Sequence, residues 1–273
     1  MTSSLYPDPH SRDVLDRPAP PPDRTVAYGD DPAQVYDVRE PASALGVTAL
    51  GATVLVVHGG FWRQAFDRTH AGPQAEGLAE AGFHVAVGEY RRTGMPGGGV
   101  PGTLDDVAAL VAAVRADASL PGPLVLVGHS AGGQLVAWAA NQPWAEGLAG
   151  VVPLAGCVDL AATDVLHLGD DAARDFLDGE PRETPEAWAA ADPMTSLPPR
   201  VPVRLVHGRE DAVVPVTVTD EYVSRARALG ADVTLDVLDE CGHFSLIDPD
   251  HPAFTHVVAV CRSLTSPTPQ TGL

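Results

Sequence analysis

Short apolar runs alternate along the chain with helical stretches, and the alternation predicts the fold. The runs are rich in Val and Leu and cover Thr53–Val57, His84–Gly88, Leu124–Val127, Gly150–Leu154, Val203–Val206 and Asp232–Leu238. Unbroken runs of this length suit strands buried on both faces. Helices fit between them, over Thr69–Ala81, Thr103–Arg115, Gly133–Ala140, Val216–Leu229 and His251–Leu264. Thr25–Tyr28 and Gln34–Arg39 read as an opening hairpin around Gly29-Asp30-Asp31-Pro32. The pattern predicts an α/β domain: a mostly parallel central sheet of about eight strands with helices on both faces.

The rhythm breaks once, in the almost fifty residues between Leu154 and Val203. A stretch that long is rarely structureless in a compact domain. Ala172–Leu177 and Pro185–Ala190 read as two short helices of a small cap, placed at about 157–199 over the strand C-termini, where open α/β sheets bind substrates. Residues 1–24 are rich in Pro, Asp, Arg and Ser, and the segment is expected to be an extended arm or partly disordered. The tail 265–273 reads the same way. Between them no repeat or linker interrupts residues 25–264, so one domain is expected.

Composition narrows the chemistry. Of 273 residues, 36 are acidic and 17 basic, a net charge of −19. Nucleic acid and anionic membrane surfaces would be repelled and are not expected as partners; a small-molecule substrate is, and a homodimer is left open. Every basic residue is Arg, which rules out a lysine Schiff base, a P-loop and a Ser-Lys dyad. Cys157, Cys241 and Cys261 are widely spaced and read as free thiols in a reducing compartment. The ten histidines show no metal-ligand spacing, so neither metal nor cofactor is expected. With no signal peptide and no apolar run of membrane-spanning length, cytoplasmic location is the expectation.

Gly128-His129-Ser130-Ala131-Gly132 fits the G-x-S-x-G pattern, with a strand-like run before it and a helix-like stretch after it. Small residues flank the serine because its turn is strained and lifts the hydroxyl above the sheet. A nucleophilic serine needs a base, an orienting acid and donors for the developing oxyanion. Asp211, after the Val203 strand, is the expected acid, with Glu210 and Asp159 as rivals. His243, in Cys241-Gly242-His243 past the last strand, is the expected base. His129 adjoins the nucleophile at a tight turn and is not taken as the base. His58-Gly59-Gly60-Phe61-Trp62 follows a strand, and its paired glycines free backbone N–H groups for an anion. Gly60, Phe61 and Ala131 are the expected donors, with His58 bracing the loop. Phe61, Trp62 and Trp188 are expected to line the substrate pocket, although Trp188 has an alternative as packing between cap and sheet. Gly97-Gly98-Gly99 reads as a flexible turn.

Taken together, these parts resemble the α/β-hydrolase superfamily from about Thr25 to Leu264. His58-Gly59-Gly60-Phe61-Trp62 resembles the HGGxW motif of kynurenine formamidases (arylformamidases) and related small esterases, and Glu89-Tyr90-Arg91 is similar to a strand-end segment of that branch. The resemblance implies an α/β-hydrolase fold, with Ser130 as nucleophile, Asp211 as acid and His243 as base. It also implies a serine hydrolase of a small ester or amide, with an N-formylkynurenine-type substrate as first choice. A carboxylesterase of short-chain acyl esters is the alternative, ahead of a peptidase or a non-catalytic binding protein. After Arg92 the chain departs from that branch, with Thr93-Gly94-Met95-Pro96 and the glycine-rich turn.

Overall fold

The computed structural model describes residues 12–42 and 46–266. Eight strands form one sheet: β1 (Arg24–Ala27), β2 (Val35–Arg39), β3 (Thr53–Val57), β4 (His84–Gly88), β5 (Leu124–His129), β6 (Gly150–Leu154), β7 (Val203–Gly208) and β8 (Val233–Leu238). Their order is β1-β2-β4-β3-β5-β6-β7-β8. β1 and β2 form the expected antiparallel hairpin, β2 runs antiparallel to β4, and every pair from β4 to β8 is parallel.

The helices are α1 (Gly72–Glu80), α2 (Gly102–Ala116), α3 (Ala131–Ala140), α4 (Leu160–Val165), α5 (Ala172–Leu177), α6 (Pro185–Ala191), α7 (Thr217–Ala228) and α8 (Pro252–Thr265). They cover both faces, and the strands show it residue by residue. Leu55, Val57, Leu124 and Leu126 join the core beneath α2, α3, α7 and the cap. Val54, Val56, Val125 and Val127 join the core beneath α1 and α8. Side chains on a strand alternate between faces, so a strand with a core on each side must be apolar throughout. Fully burying one such Val or Leu contributes about 1.5–3 kcal/mol.

Some boundaries differ from those expected. The helix predicted over Thr69–Ala81 is split, because Asp67 caps a 3-10 turn at Arg68–Ala71 and Pro73 opens α1 behind it. The insertion contains α4 in addition to the two expected helices; Asp159 begins it by accepting a hydrogen bond from Ala162 N. The described part of the N-terminal arm does not stand free. Arg12–Leu15 forms a 3-10 turn, and Val14 is buried with the α1/α8 core. Arg17 Nη1 lies 2.7 Å from Asp248 Oδ1, and Arg39 donates to the carbonyl of Pro20. One buried Val and two arginines help to tie down a segment that has no ladder of its own. Residues 1–11 of the arm and 267–273 of the tail lie outside the described residues.

The glycine-rich turn is also packed rather than open. A Cβ on Gly98 would come within 1.9 Å of the Arg92 carbonyl oxygen, so backbone lies directly against backbone there. Gly98 N donates to Met95 O at 3.0 Å, which closes the turn.

Candidate active site

Strand order sets the position of the site. β4 lies on one side of β3 and β5 on the other, so the loops leaving β3 and β5 diverge and open a crevice at their C-terminal ends. The loop after β3 is His58–Trp62, and Ser130 follows β5.

Ser130 sits between β5 and α3 at φ 56° and ψ −118°, a strained backbone for a residue with a side chain. The flanking glycines are required. A Cβ on Gly128 would lie 2.1 Å from the Gly132 carbonyl oxygen, and one on Gly132 would lie 2.0 Å from that of Val57. Ser130 itself is 3% exposed. Gly59 packs so closely on it that a Cβ there would stand 3.0 Å from the serine Cβ.

His243 follows β8, and its Nδ1 lies 2.7 Å from Asp211 Oδ2. The other carboxylate oxygen of Asp211 accepts from the N–H groups of Val213 and Val214, both at 2.8 Å. Burial by itself would raise the pKa of Asp211. The adjacent His243 and His207 outweigh that cost and hold the group well below the usual carboxylate range. These contacts favour the anionic form of Asp211.

Its two rivals lie elsewhere. Glu210 is exposed, and Asp159 accepts the capping bond at the start of α4. His129 lies beside His243, with ring centroids 4.5 Å apart, and its Nε2 donates to the His243 carbonyl at 3.0 Å. Burial and the neighbouring His243 push its pKa far down, so it stays neutral. It props the backbone of His243 and leaves that imidazole to Asp211.

Gly60, Phe61 and Trp62 have φ angles of 107°, 51° and 55°. Left-handed backbone costs on the order of 1–3 kcal/mol at each non-glycine residue and persists only where packing enforces it. No backbone carbonyl outside the helices and strands accepts from the N–H groups of Gly60, Phe61 or Ala131 among the described residues. Beneath the loop, His58 Nε2 is 3.0 Å from Glu89 Oε1, which also accepts from Arg92. The His58 ring stacks on Tyr90 with centroids 4.5 Å apart, and Tyr90 Oη donates to the His58 carbonyl at 2.8 Å. His58 braces the loop, as expected from the sequence; Glu89 figures there only within the family-like Glu89-Tyr90-Arg91 segment, and its ion pair with Arg92 beneath the loop was not foreseen.

Two of the three expected pocket aromatics have other duties. Trp62 is 0% exposed, donates its indole N–H to Gln134 Oε1 at 2.9 Å and stacks on Phe176 of α5 with centroids 4.9 Å apart. Trp188 is buried in α6 with its indole N–H on the Gly179 carbonyl, so it packs the cap. Trp62 is thus enclosed by packing, and Trp188 takes the alternative given for it, as packing for the cap. Phe61 remains half-buried at the loop. Two surface clefts lie away from all these groups, one lined by Thr53, Arg115 and Pro123 and the other by Glu80, Phe254 and Arg262.

The three cysteines are buried, and no disulfide is formed among the described residues. Among the described residues no cluster of His, Cys, Asp and Glu could hold a metal ion, and no helix is long and apolar enough to cross a membrane.

Comparison with known proteins adds to this geometry. Esterase LipC of Mycobacterium tuberculosis (strain ATCC 25618 / H37Rv) is 28% identical over 247 residues, which take in 82% of this chain. The chain spans 60% of the length of that curated relative. A truncated carbohydrate esterase from gut microbiota superposes with a TM-score of 0.73 at 20% identity, over 91% of this chain and 99% of that one. Esterase B from Lactobacillus rhamnosis (HN001) gives 0.74 at 18% identity, over 92% and 89%. At such identities the likeness speaks for the fold, and with the eight-stranded sheet it makes this an α/β-hydrolase fold. The BD-FAE family model matches residues 36–225, and the chain belongs to the BD-FAE family.

Proposed function

We propose that the protein is a serine carboxylesterase of short-chain acyl esters, acting through an acyl-enzyme. The observation that carries this reading is the 2.7 Å bond between His243 Nδ1 and Asp211 Oδ2, made beside the strained Ser130 turn. With Nδ1 held by Asp211, Nε2 is the nitrogen left to act as base. His243 takes the Ser130 proton as Oγ attacks the ester carbonyl. The oxyanion is received by the N–H groups of Gly60, Phe61 and Ala131, and His243 then protonates the leaving alkoxide. Water repeats the sequence and releases the acid. The family match and the names of the relatives, an esterase LipC and two esterases of known structure, support an ester as substrate. A cap built from three short helices, with Phe61 half-buried beneath it, supports a small acyl group.

Hydrolysis of p-nitrophenyl esters from acetate to palmitate tests this, together with labelling by a fluorophosphonate. Activity should be highest at short chains, each added CH₂ helping by at most ~0.8 kcal/mol until the pocket is full. Ser130→Ala should lose on the order of 10⁴-fold or more in turnover, and lose the label. Undiminished labelling in Ser130→Ala would refute the assignment, and activity rising out to palmitate would point to a lipase-like groove.

The His58–Trp62 motif favours a second reading, an arylformamidase. Trp62, the tryptophan of that motif, was expected to line the pocket and is instead buried against Phe176. Measuring kcat/KM for N-formylkynurenine and phenyl acetate separates the two: the esterase reading expects the formamide to be thousands of times slower.

A further inference from the structure

Three consecutive residues of the loop after β3 are each tied to one short stretch of the cap. The Phe61 ring lies against Gly169, where an added Cβ would come within 2.6 Å of it. Trp62 stacks on Phe176 at an interplanar angle of 7°. Arg63 Nη2 donates to the Asp170 carbonyl and to Asp175 Oδ2, both at 2.9 Å. A fourth tie runs through α3: Gln134 accepts from the Trp62 indole and donates to the Ala191 carbonyl at the end of α6, at 2.8 Å. The cap side of the contact is itself wound left-handed, with φ of 51° at His167, 62° at Gly169, 55° at Asp170 and 59° at Asp171.

Two strained segments thus hold each other. The sheet side fixes the loop mainly through its backbone, with Thr93 N donating to the Trp62 carbonyl at 2.8 Å. The cap fixes the side chains of Phe61 and Arg63 and shares that of Trp62 with Gln134 of α3. Backbone at positive φ relaxes when its side chains are released, because nothing then offsets the steric cost. The N–H groups of Gly60 and Phe61 would turn with it.

We propose that Gly169, Asp175 and Phe176 are positioning residues that aim the oxyanion-binding amides, so that the cap completes the catalytic site as well as covering it. This rests on the hydrolase reading above. A group that acts only on the developing oxyanion affects kcat and spares ground-state binding. Gly169 must be glycine here, since a side chain would collide with the Phe61 ring.

The test uses Gly169→Ala, Phe176→Leu and the surface variant Asp175→Asn, with active sites counted by fluorophosphonate so that unfolded protein does not enter kcat. For p-nitrophenyl acetate, kcat should fall tenfold or more in the first two and two- to threefold in the third, at nearly constant KM. Affinity for a trifluoromethyl ketone, whose serine adduct carries the oxyanion, should fall in the same proportion. Mere loosening of the fold would lower the thermal midpoint and leave both quantities unchanged per titrated site. Variants with unchanged kcat and ketone affinity, in an active wild-type background, would overturn the proposal alone. A wild-type protein that neither turns over the ester nor takes the label would overturn the hydrolase reading and this proposal with it.

Discussion

His207 Nε2 stands 3.4 Å from Asp211 Oδ2, the same oxygen that holds His243 Nδ1 at 2.7 Å. That nitrogen of His207 is also 2.8 Å from the Val214 carbonyl oxygen, which can only accept, so the proton sits on Nε2 and is donated to that carbonyl beside the carboxylate. Asp211 is therefore held by the Val213 and Val214 amides and by His243, with His207 bracing the Val214 turn beside it. His207→Phe keeps an aromatic ring in the buried site and removes the donor. The lost bond to Val214, whose amide holds Asp211, is worth about 0.5–1.5 kcal/mol, so kcat should drop about two- to tenfold with little change in KM. Steady-state kinetics on folded variant check this; wild-type kcat would show that the two backbone amides orient Asp211 unaided.

Asp211→Asn should cost about 10³–10⁴-fold in kcat with the fold intact. The asparagine oxygen can still accept from Val213 and Val214, but its NH₂ would then face His243 Nδ1 and force the imidazole into the wrong tautomer. Glu210→Gln and Asp159→Asn should leave kcat within a few-fold of wild type. If either of those is the crippled variant, the acid has been misplaced.

Stability should fall with rising pH through the titration of Asp192. Burial pushes its carboxyl up to about 6, and the neighbouring Asp159 adds to the effect. The folded protein therefore keeps this proton to higher pH than the unfolded chain, where the pKa is about 3.9. The contribution is complete below about pH 4 and is lost as pH passes about 6, an amount on the order of 2–3 kcal/mol. Asp192→Asn retains an acceptor for Met194 N, which now lies 3.0 Å from Oδ1, without the charge. Its thermal midpoint should match wild type near pH 4 and exceed it by about 5 °C at pH 8. Equal midpoints at pH 8 would contradict this account.

Glu89 and Arg92 form a buried ion pair under the His58 loop, with side chains 4% and 5% exposed. The carboxylate is held below its usual range although burial opposes it, because His58, the Arg68 amide and Arg92 all favour the charge. Glu89→Leu leaves the Arg92 charge uncompensated and should cost about 3–5 kcal/mol, whereas Glu89→Leu with Arg92→Met should recover a large part of that. Urea denaturation of the single and double variants measures the coupling. Losses that simply add would show that the two side chains act independently.

The sequence alone determined the parts whose geometry is local. Gly128 is demanded by the Gly132 carbonyl within the turn that holds Ser130, so the pentapeptide announces it, although Gly132 answers to the Val57 carbonyl of the neighbouring strand. Asp211 and His243 each follow a strand of a parallel sheet, and that alone places them at the C-terminal edge where the crevice opens. The apolar runs gave the strands because a strand covered on both faces has no polar positions to spare. What only the tertiary structure decided was where long side chains end. Trp62 read as a pocket wall, and Arg63 and Phe176 drew no attention, because their partners are more than a hundred residues apart in the chain. The arm read as extended or partly disordered, and the ion pair of Arg17 with Asp248, 231 residues away, leaves no trace in local pattern. Propensity and periodicity record what neighbours along the chain require of one another. Burial of an aromatic ring or a charge is set by whichever distant surface closes over it, and here that surface is the cap.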